Sequence, residues 1–445
     1  MKRPAVRTPR PWLFPEPRHG TLPNGLNVLI FDRPGQYVIS AGLVVDLPLT
    51  AEPSDREGVA TLTMRCLDEG TRTHPGTRFS EVLEDAGAAM AGSVGHSASE
   101  LYLDVPAHRL GSALELMAQA LIEPALETED VDRHRSLRLA QIEQTMAHPA
   151  QRVGLAFREA VLESGYRAAR PAGGTAATVA RVSADDVRSF HAQHYSPANS
   201  VLVLAGDFTD DPFDQAEATF GRWRSPENPT VHETPRPAPA TCLLIDRPDA
   251  VQADVRLGGF GIDRTDPRWA DVQVASYALG GAFLSRLNRV LREERGYTYG
   301  VQLVNQPMRS GGLLTVAGSF RTEVAGAAIS EAVRILDLER TPITENEVAD
   351  AVNYAVGVTP LRYATAAGIT EQVTTLIGAG LSSRYVDSHT AALGLVTPGS
   401  ATRALRQVLD PTRMSLLVVG SAKALEGPLR DAGWAVRVQT DAAAT

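Results

Sequence analysis

The sequence predicts an α+β fold of two homologous domains, each an antiparallel-dominated sheet packed with helices. Length is the first ground: 445 residues exceed one ordinary domain at about 150 residues per unit. Self-similarity is the second. Leu29-Ile30-Phe31-Asp32-Arg33-Pro34 is echoed by Leu243-Leu244-Ile245-Asp246-Arg247-Pro248. Tyr195-Ser196-Pro197 running into 201–206 is echoed by Leu409-Asp410-Pro411 running into 416–420. Asp32 falls on Asp246 and Pro197 on Pro411, an offset of 214 residues both times, which marks an internal duplication. The third ground is the order of elements, with hairpin-like strands alternating with helical runs in each half.

Each half opens on an apolar strand (26–31; 242–245), then an alternating strand (38–45; 253–260), a polar loop and a long helix (58–67; 269–279). Further helices are expected at 110–121, 128–146 and 184–194, and each half closes on a buried strand reached through a Pro turn. Between the halves, 223–240 holds five prolines and little apolar periodicity, which reads as an extended linker. The expected units are therefore a proline-rich arm (1–20), a first domain (21–222), the linker (223–240) and a second domain (241–445).

Composition narrows the function. With 43% hydrophobic and 21% charged residues the chain can build cores and is not disordered. A net charge of −9 argues against a duplex nucleic-acid binder, and the absence of about 18 consecutive apolar residues argues against a membrane span. Two distant cysteines, Cys66 and Cys242, imply no disulfide framework. The start is basic but broken by prolines and has no apolar core like that of a secretory signal, so the expected compartment is the cytoplasm.

Two stretches carry chemistry. The first runs from Gly58-Val59-Ala60 to Gly70-Thr71 and reads as a helix closed by a glycine cap. It resembles the active-site helix of the pitrilysin/insulinase family, inverzincin metallopeptidases that include the mitochondrial processing peptidases. In that family the same frame surrounds H-x-x-E-H, whose two imidazoles share one helix face and hold zinc while the glutamate activates water. The resemblance aligns these places with Thr61, Met64 and Arg65, and the family's third ligand, 76 residues beyond Arg65, with Gln141. A threonine is a poor zinc ligand, a methionine cannot take a proton, and an arginine repels a divalent cation. The resemblance therefore implies a degenerate zinc site and no metal in this chain. The family's substrate-edge strand corresponds to 91–102, where its usual Asn-Ala reads Ala91-Gly92.

The second stretch, 279–300, includes Gly280-Gly281, Ser285-Arg286-Leu287, Arg292, Arg295-Gly296 and Tyr299. Taken alone, Arg286, Arg289, Arg292 and Arg295 also fit a solvated arginine face. The stretch resembles the family's G-G-x-x-S-R-L-x-x-x-x-R-E-x-R-G-x-x-Y motif, which implies substrate binding by Gly280, Gly281, Arg292 and Tyr299. Arg292 and Tyr299 would further stabilise the oxyanion of peptide hydrolysis. Gly280-Gly281 fits no nucleotide motif, and His191 and His194 lack an acidic partner, which favours a packing role for both. An intact Arg/Tyr motif beside a lost zinc motif implies one subunit of a heterodimer, inactive alone, whose homologous H-x-x-E-H partner brings zinc and acts on peptides. The alternative is an inert structural or peptide-binding homologue serving as a scaffold.

Overall fold

A computed structural model describes residues 12–225, 229–410 and 413–441. The first eleven residues of the proline-rich start, and Pro411 of the second Pro turn, lie outside them. Strands β1 (Arg18–Thr21), β2 (Asn27–Asp32), β3 (Val38–Val45), β4 (Ala89–Val94), β5 (Ser99–Pro106) and β6 (Ser200–Gly206) form one sheet in the order β1-β2-β6-β3-β5-β4. Strands β7 (Cys242–Asp246), β8 (Gln252–Gly261), β9 (Val301–Pro307), β10 (Gly312–Arg321), β11 (Ser415–Gly420) and β12 (Val436–Thr440) form the other, ordered β12-β7-β11-β8-β10-β9. Five strands correspond one to one between the halves, including a parallel pair at the same place, β2 with β6 and β7 with β11. Only the outer strand differs: β1 precedes β2 and runs antiparallel to it, whereas β12 returns from the chain end parallel to β7.

The expectation of an alternating β3 is corrected. Ile39 to Val45 are buried throughout, because both faces of the sheet are covered. The inner face packs on helices of its own half, and the outer face is covered by the Ala366–Gly378 helix of the other half. There Ile369, Val373 and Leu376 pack with Phe31, Val203 and Ala205. Thr370 Oγ1 donates to the Ser40 carbonyl at 3.2 Å. A Cβ at Gly42 would meet the Thr370 and Thr374 methyls at 2.7 Å, so the helix lies against bare strand backbone. The arrangement is reciprocal: the Pro149–Val161 helix of the first half lays Val153, Phe157 and Val161 on Leu243, Ile245, Leu417 and Val419 of the second sheet.

The segment ahead of β1 also crosses between halves. Phe14 is buried, its N–H donates to Asp387 Oδ1 at 2.9 Å, and Trp12 stacks on Tyr363. Linker residues 229–240 are strapped to the first half, with Glu233 accepting from the Arg167 and Ala168 amides and Pro237 bridging Leu162. Both cysteines are free and buried. Burial pushes the Cys66 thiol up to about 12 and the Cys242 thiol up to about 11, which keeps them protonated and inert. Among the described residues no helix is long and apolar enough to cross a membrane.

Because each sheet depends on the other half's helix, the halves should unfold as one unit. Ile369→Ala, fully buried at that contact, is expected to cost about 2–5 kcal/mol in urea unfolding, with a single transition for both halves.

Candidate functional site

In the first half the motif helix spans Val59–Cys66. Its start is fixed by Gly58 at φ 104° and by the buried Glu52 carboxylate, which accepts from the Gly58 and Ala60 amides at 2.9 and 3.0 Å. Arg167, also buried, holds that carboxylate from the opposite side at 2.8 Å. The expected glycine cap is corrected: the helix ends at Cys66, and Gly70, at φ 145°, lies further on, where a Cβ would crowd the Gly76 amide. Glu69, in the intervening turn, is bound instead by Arg133 and His134 of the Thr128–Ala147 helix, both at 2.6 Å.

That helix brings Gln141 to the same place as Arg65. Arg65 Nη2 donates to Gln141 Oε1 at 2.8 Å, so residues 76 apart in sequence meet side by side. Arg138 lies close enough that Arg65 adds to the burial that lowers its pKa, which makes the locality positive. Met64 is buried, and its sulfur lies over Gly92 of β4, at the sheet edge, where any Cβ would collide with it. Thr61 is half-buried one turn earlier. Among the described residues no group of three or more His, Cys, Asp or Glu is arranged to hold a metal ion.

In the second half the motif begins on the Trp269–Ser276 helix, which widens into a π-helical turn at Tyr277–Gly281. The Ala282 amide closes that turn on the Tyr277 carbonyl. Gly280 is buried there because a Cβ would run into the backbone of Leu303 in β9, whereas Gly281 lies at the surface. A second π-helical stretch, Arg289–Glu294, is followed by Gly296 at φ 62°. Wide turns of this kind are rare and concentrate at functional sites.

Gly280, Gly281, Arg292 and Tyr299 line one open cleft of about 660 Å³. Arg292 stacks its guanidinium on the Phe283 ring at 3.9 Å, donates to the Phe283 carbonyl at 2.9 Å and pairs with Glu293 at 2.7 Å. Tyr299 is 96% exposed and projects freely. The four arginines do not form one solvated face. Arg286 is buried and clamps Glu347 and the Thr341 and Pro342 carbonyls, while Arg289 remains at the surface.

Two positioning residues escape sequence reasoning. Buried Asn288 accepts from the Val301 amide at 2.9 Å and donates to Ala282 and Ser285, tying the turn after Gly281 to the start of β9. Thr298 donates to the Ser319 carbonyl at 2.6 Å and so anchors the loop bearing Tyr299 to β10. Both fall inside the motif, but polar residues without a charge partner give no signal of burial. His191 bonds the Leu121 carbonyl and stacks on Tyr195, and His194 packs on Phe190, so both serve packing.

The family profile described as Insulinase (Peptidase family M16) matches residues 27–177, and that described as Peptidase M16 inactive domain matches 181–354. An uncharacterized zinc protease of Streptomyces coelicolor is 26% identical over 414 residues, covering 91% of this chain and 90% of that protein. One of Mycobacterium tuberculosis is 27% identical over 346 residues, covering 74% and 76%. Among solved structures, a peptidase M16 inactive domain from Pseudomonas fluorescens superposes with a TM-score of 0.83 at 23% identity, covering 91% of this chain and 98% of that one. A protease from Helicobacter pylori gives 0.84 at 14%, covering 92% and 100%. These structural likenesses show the fold.

The Arg286–Glu347 clamp carries a pH signature. Burial alone would raise the Glu347 carboxyl, but hydrogen bonds from Arg286 and Thr344 outweigh it and hold the pKa below the ordinary value. A carboxylate depressed in the folded state stabilises above its unfolded pKa of roughly 4.3 and loses that contribution as pH falls through the folded value. Arg286→Met should therefore cost on the order of 2–4 kcal/mol at pH 7, with the gap to wild type in urea midpoint closing at lower pH.

Proposed function

The chain belongs to the insulinase-type peptidase family M16, and from that premise we propose that it is the non-zinc-binding subunit of a heterodimeric zinc metallopeptidase, supplying Arg292 and Tyr299 to peptide hydrolysis at a partner's zinc site. The observation that carries this reading is the shared open cleft, lined by a largely sequestered guanidinium and a fully projecting phenol that finds no hydrogen-bond acceptor among the described residues. Such donors suit a surface completed by a second molecule.

The first half does not fit a zinc ion. Its places are filled by a threonine, a buried methionine and an arginine already bonded to a neutral glutamine, with Arg138 adding charge of the wrong sign. No step is therefore assigned there, and the chain alone is inactive. The homologous partner brings H-x-x-E-H and the metal. Arg292 binds the substrate backbone and then the developing oxyanion, trading its contact with the Phe283 carbonyl for the substrate, and Tyr299 donates from its phenol. Peptide is held as an added strand on an open sheet edge, through main-chain bonds that tolerate many sequences. The assembly works in the cytoplasm.

The test is reconstitution with a zinc-bearing homologue. Arg292→Ala and Tyr299→Phe should each lower peptide turnover by roughly 10²–10³-fold without changing co-elution of the two chains. Unchanged turnover in both variants would overturn the reading and leave a scaffold role. Metal analysis of the isolated chain should find no stoichiometric zinc, and T61H/M64E/R65H/Q141E should raise it toward one ion per chain by restoring the charge and donor set.

A further inference from the structure

A second cavity, of about 430 Å³, lies in the same half, bounded by the Trp269–Ser276, Glu345–Arg362, Ala366–Gly378 and Tyr385–Leu393 helices and by β9. Gly281 belongs to its wall as well as to that of the Arg292/Tyr299 cleft. Among its described lining residues are two arginines, Arg264 and Arg362, and His389, but no aspartate or glutamate, in a chain whose net charge is −9.

Arg264 is mostly withdrawn from solvent and makes no hydrogen bond or ion pair with any described protein group. The carboxylates that might serve it are engaged elsewhere. Asp263 accepts from the Gly311 and Thr265 amides, Asp266 pairs with Arg268, and Asp387 accepts from the Phe14 amide. A withdrawn guanidinium with no directly bonded acceptor is costly. Tyr385 Oη and Ser276 Oγ are buried hydroxyls with no hydrogen-bond partner among the described residues, and both residues line the same cavity. His389 is pushed down to about 4 by burial and by Arg264, so it is neutral at pH 7.

The rest of the wall is aromatic and held in place. Tyr277 stacks on Tyr354 at 4.8 Å, and Tyr385 stacks on His389 at 5.4 Å. Tyr363 is pinned by Trp12 at 5.8 Å and Phe14 at 5.1 Å, so the segment ahead of β1 braces this pocket. The volume and the combination of apolar walls with a few convergent donors match small-molecule sites.

We propose that this cavity binds a small organic anion, a carboxylate or phosphate head on an aromatic or apolar body, with Arg264 taking the head in its planar fork and Tyr385 Oη giving a further donor. The free acid of a small molecule and the C-terminus of a short peptide share this chemistry. The site stands independently of the heterodimer reading, since it requires only this chain.

Calorimetric titration of the full chain decides it, using N-acetylphenylalanine, phenyl phosphate and a tripeptide ending in phenylalanine, each carboxylate also as its neutral amide. At least one anionic probe should bind, with its amide and the Arg264→Gln variant each weaker by about tenfold or more. Tyr385→Phe should weaken binding a few-fold. Binding of the acetylated amino acid or phenyl phosphate but not the tripeptide points to a free small molecule, and the converse to a peptide end. Without ligand, Arg264→Gln should unfold at the same or a higher urea concentration, because it removes an unpaired charge. The proposal is overturned if no anionic probe binds at about 5 mM, if the amides bind as well as the acids, or if both variants bind as wild type does.

Discussion

The molecule depends on a reciprocal debt of apolar surface. Each sheet is apolar on both faces, and its own half supplies helices enough for only one. The Pro149–Val161 and Ala366–Gly378 helices cross to cover the remaining faces, so neither sheet is complete without the other half. This constraint also sets the functional geometry. Ala150, at the start of the first crossing helix, lines the Arg292/Tyr299 cleft, and Arg256 of β8 donates to its carbonyl at 3.0 Å. The second crossing helix contributes Gln372 to the anion cavity and Thr374 to a hydrogen bond with Tyr102 of β5.

The two halves share a topology but differ in their polar chemistry. In the first, Arg65 and Gln141 satisfy each other, and Met64 fills the space over Gly92 with sulfur and methylene. In the second, buried and partly buried polar residues hold a surface loop open: Asn288, Thr298 and the Arg286 clamp fix the backbone around Gly281 and Tyr299 while leaving the phenol free. A satisfied polar network costs little in stability and confers one defined geometry. The same logic appears at Glu52 and Arg167, which fix the start of the first motif helix.

Much of this architecture is legible in the sequence. The duplication register located the strands, and the family resemblance singled out Arg65 and Gln141, which are in fact hydrogen-bonded. What periodicity could not supply was the partner of each apolar face, which is why β3 read as alternating: the crossing helix comes from more than 300 residues away, as the Thr370–Ser40 contact shows. The repeated Asp-Arg-Pro turns also hid a divergence. Arg247 caps the Thr128–Ala147 helix through the Met146 and Ala147 carbonyls, whereas its counterpart Arg33 makes no such contact among the described residues. Arg286 was indistinguishable from its exposed neighbours because a charged residue at helical spacing does not announce the acid, Glu347, that draws it inward.

The crossing helices bear on ancestry. An exchange in which half one gives to half two what it receives in return has the form of an isologous, two-fold contact. A lone ancestral half would have bared the outer face of its sheet in water, and two copies would have cured that by swapping the same helix. On this reasoning the duplication fused a domain-swapped dimer into one chain, and only after fusion were its once identical sites free to diverge, one toward an arginine closed on a glutamine and the other toward an outstretched tyrosine.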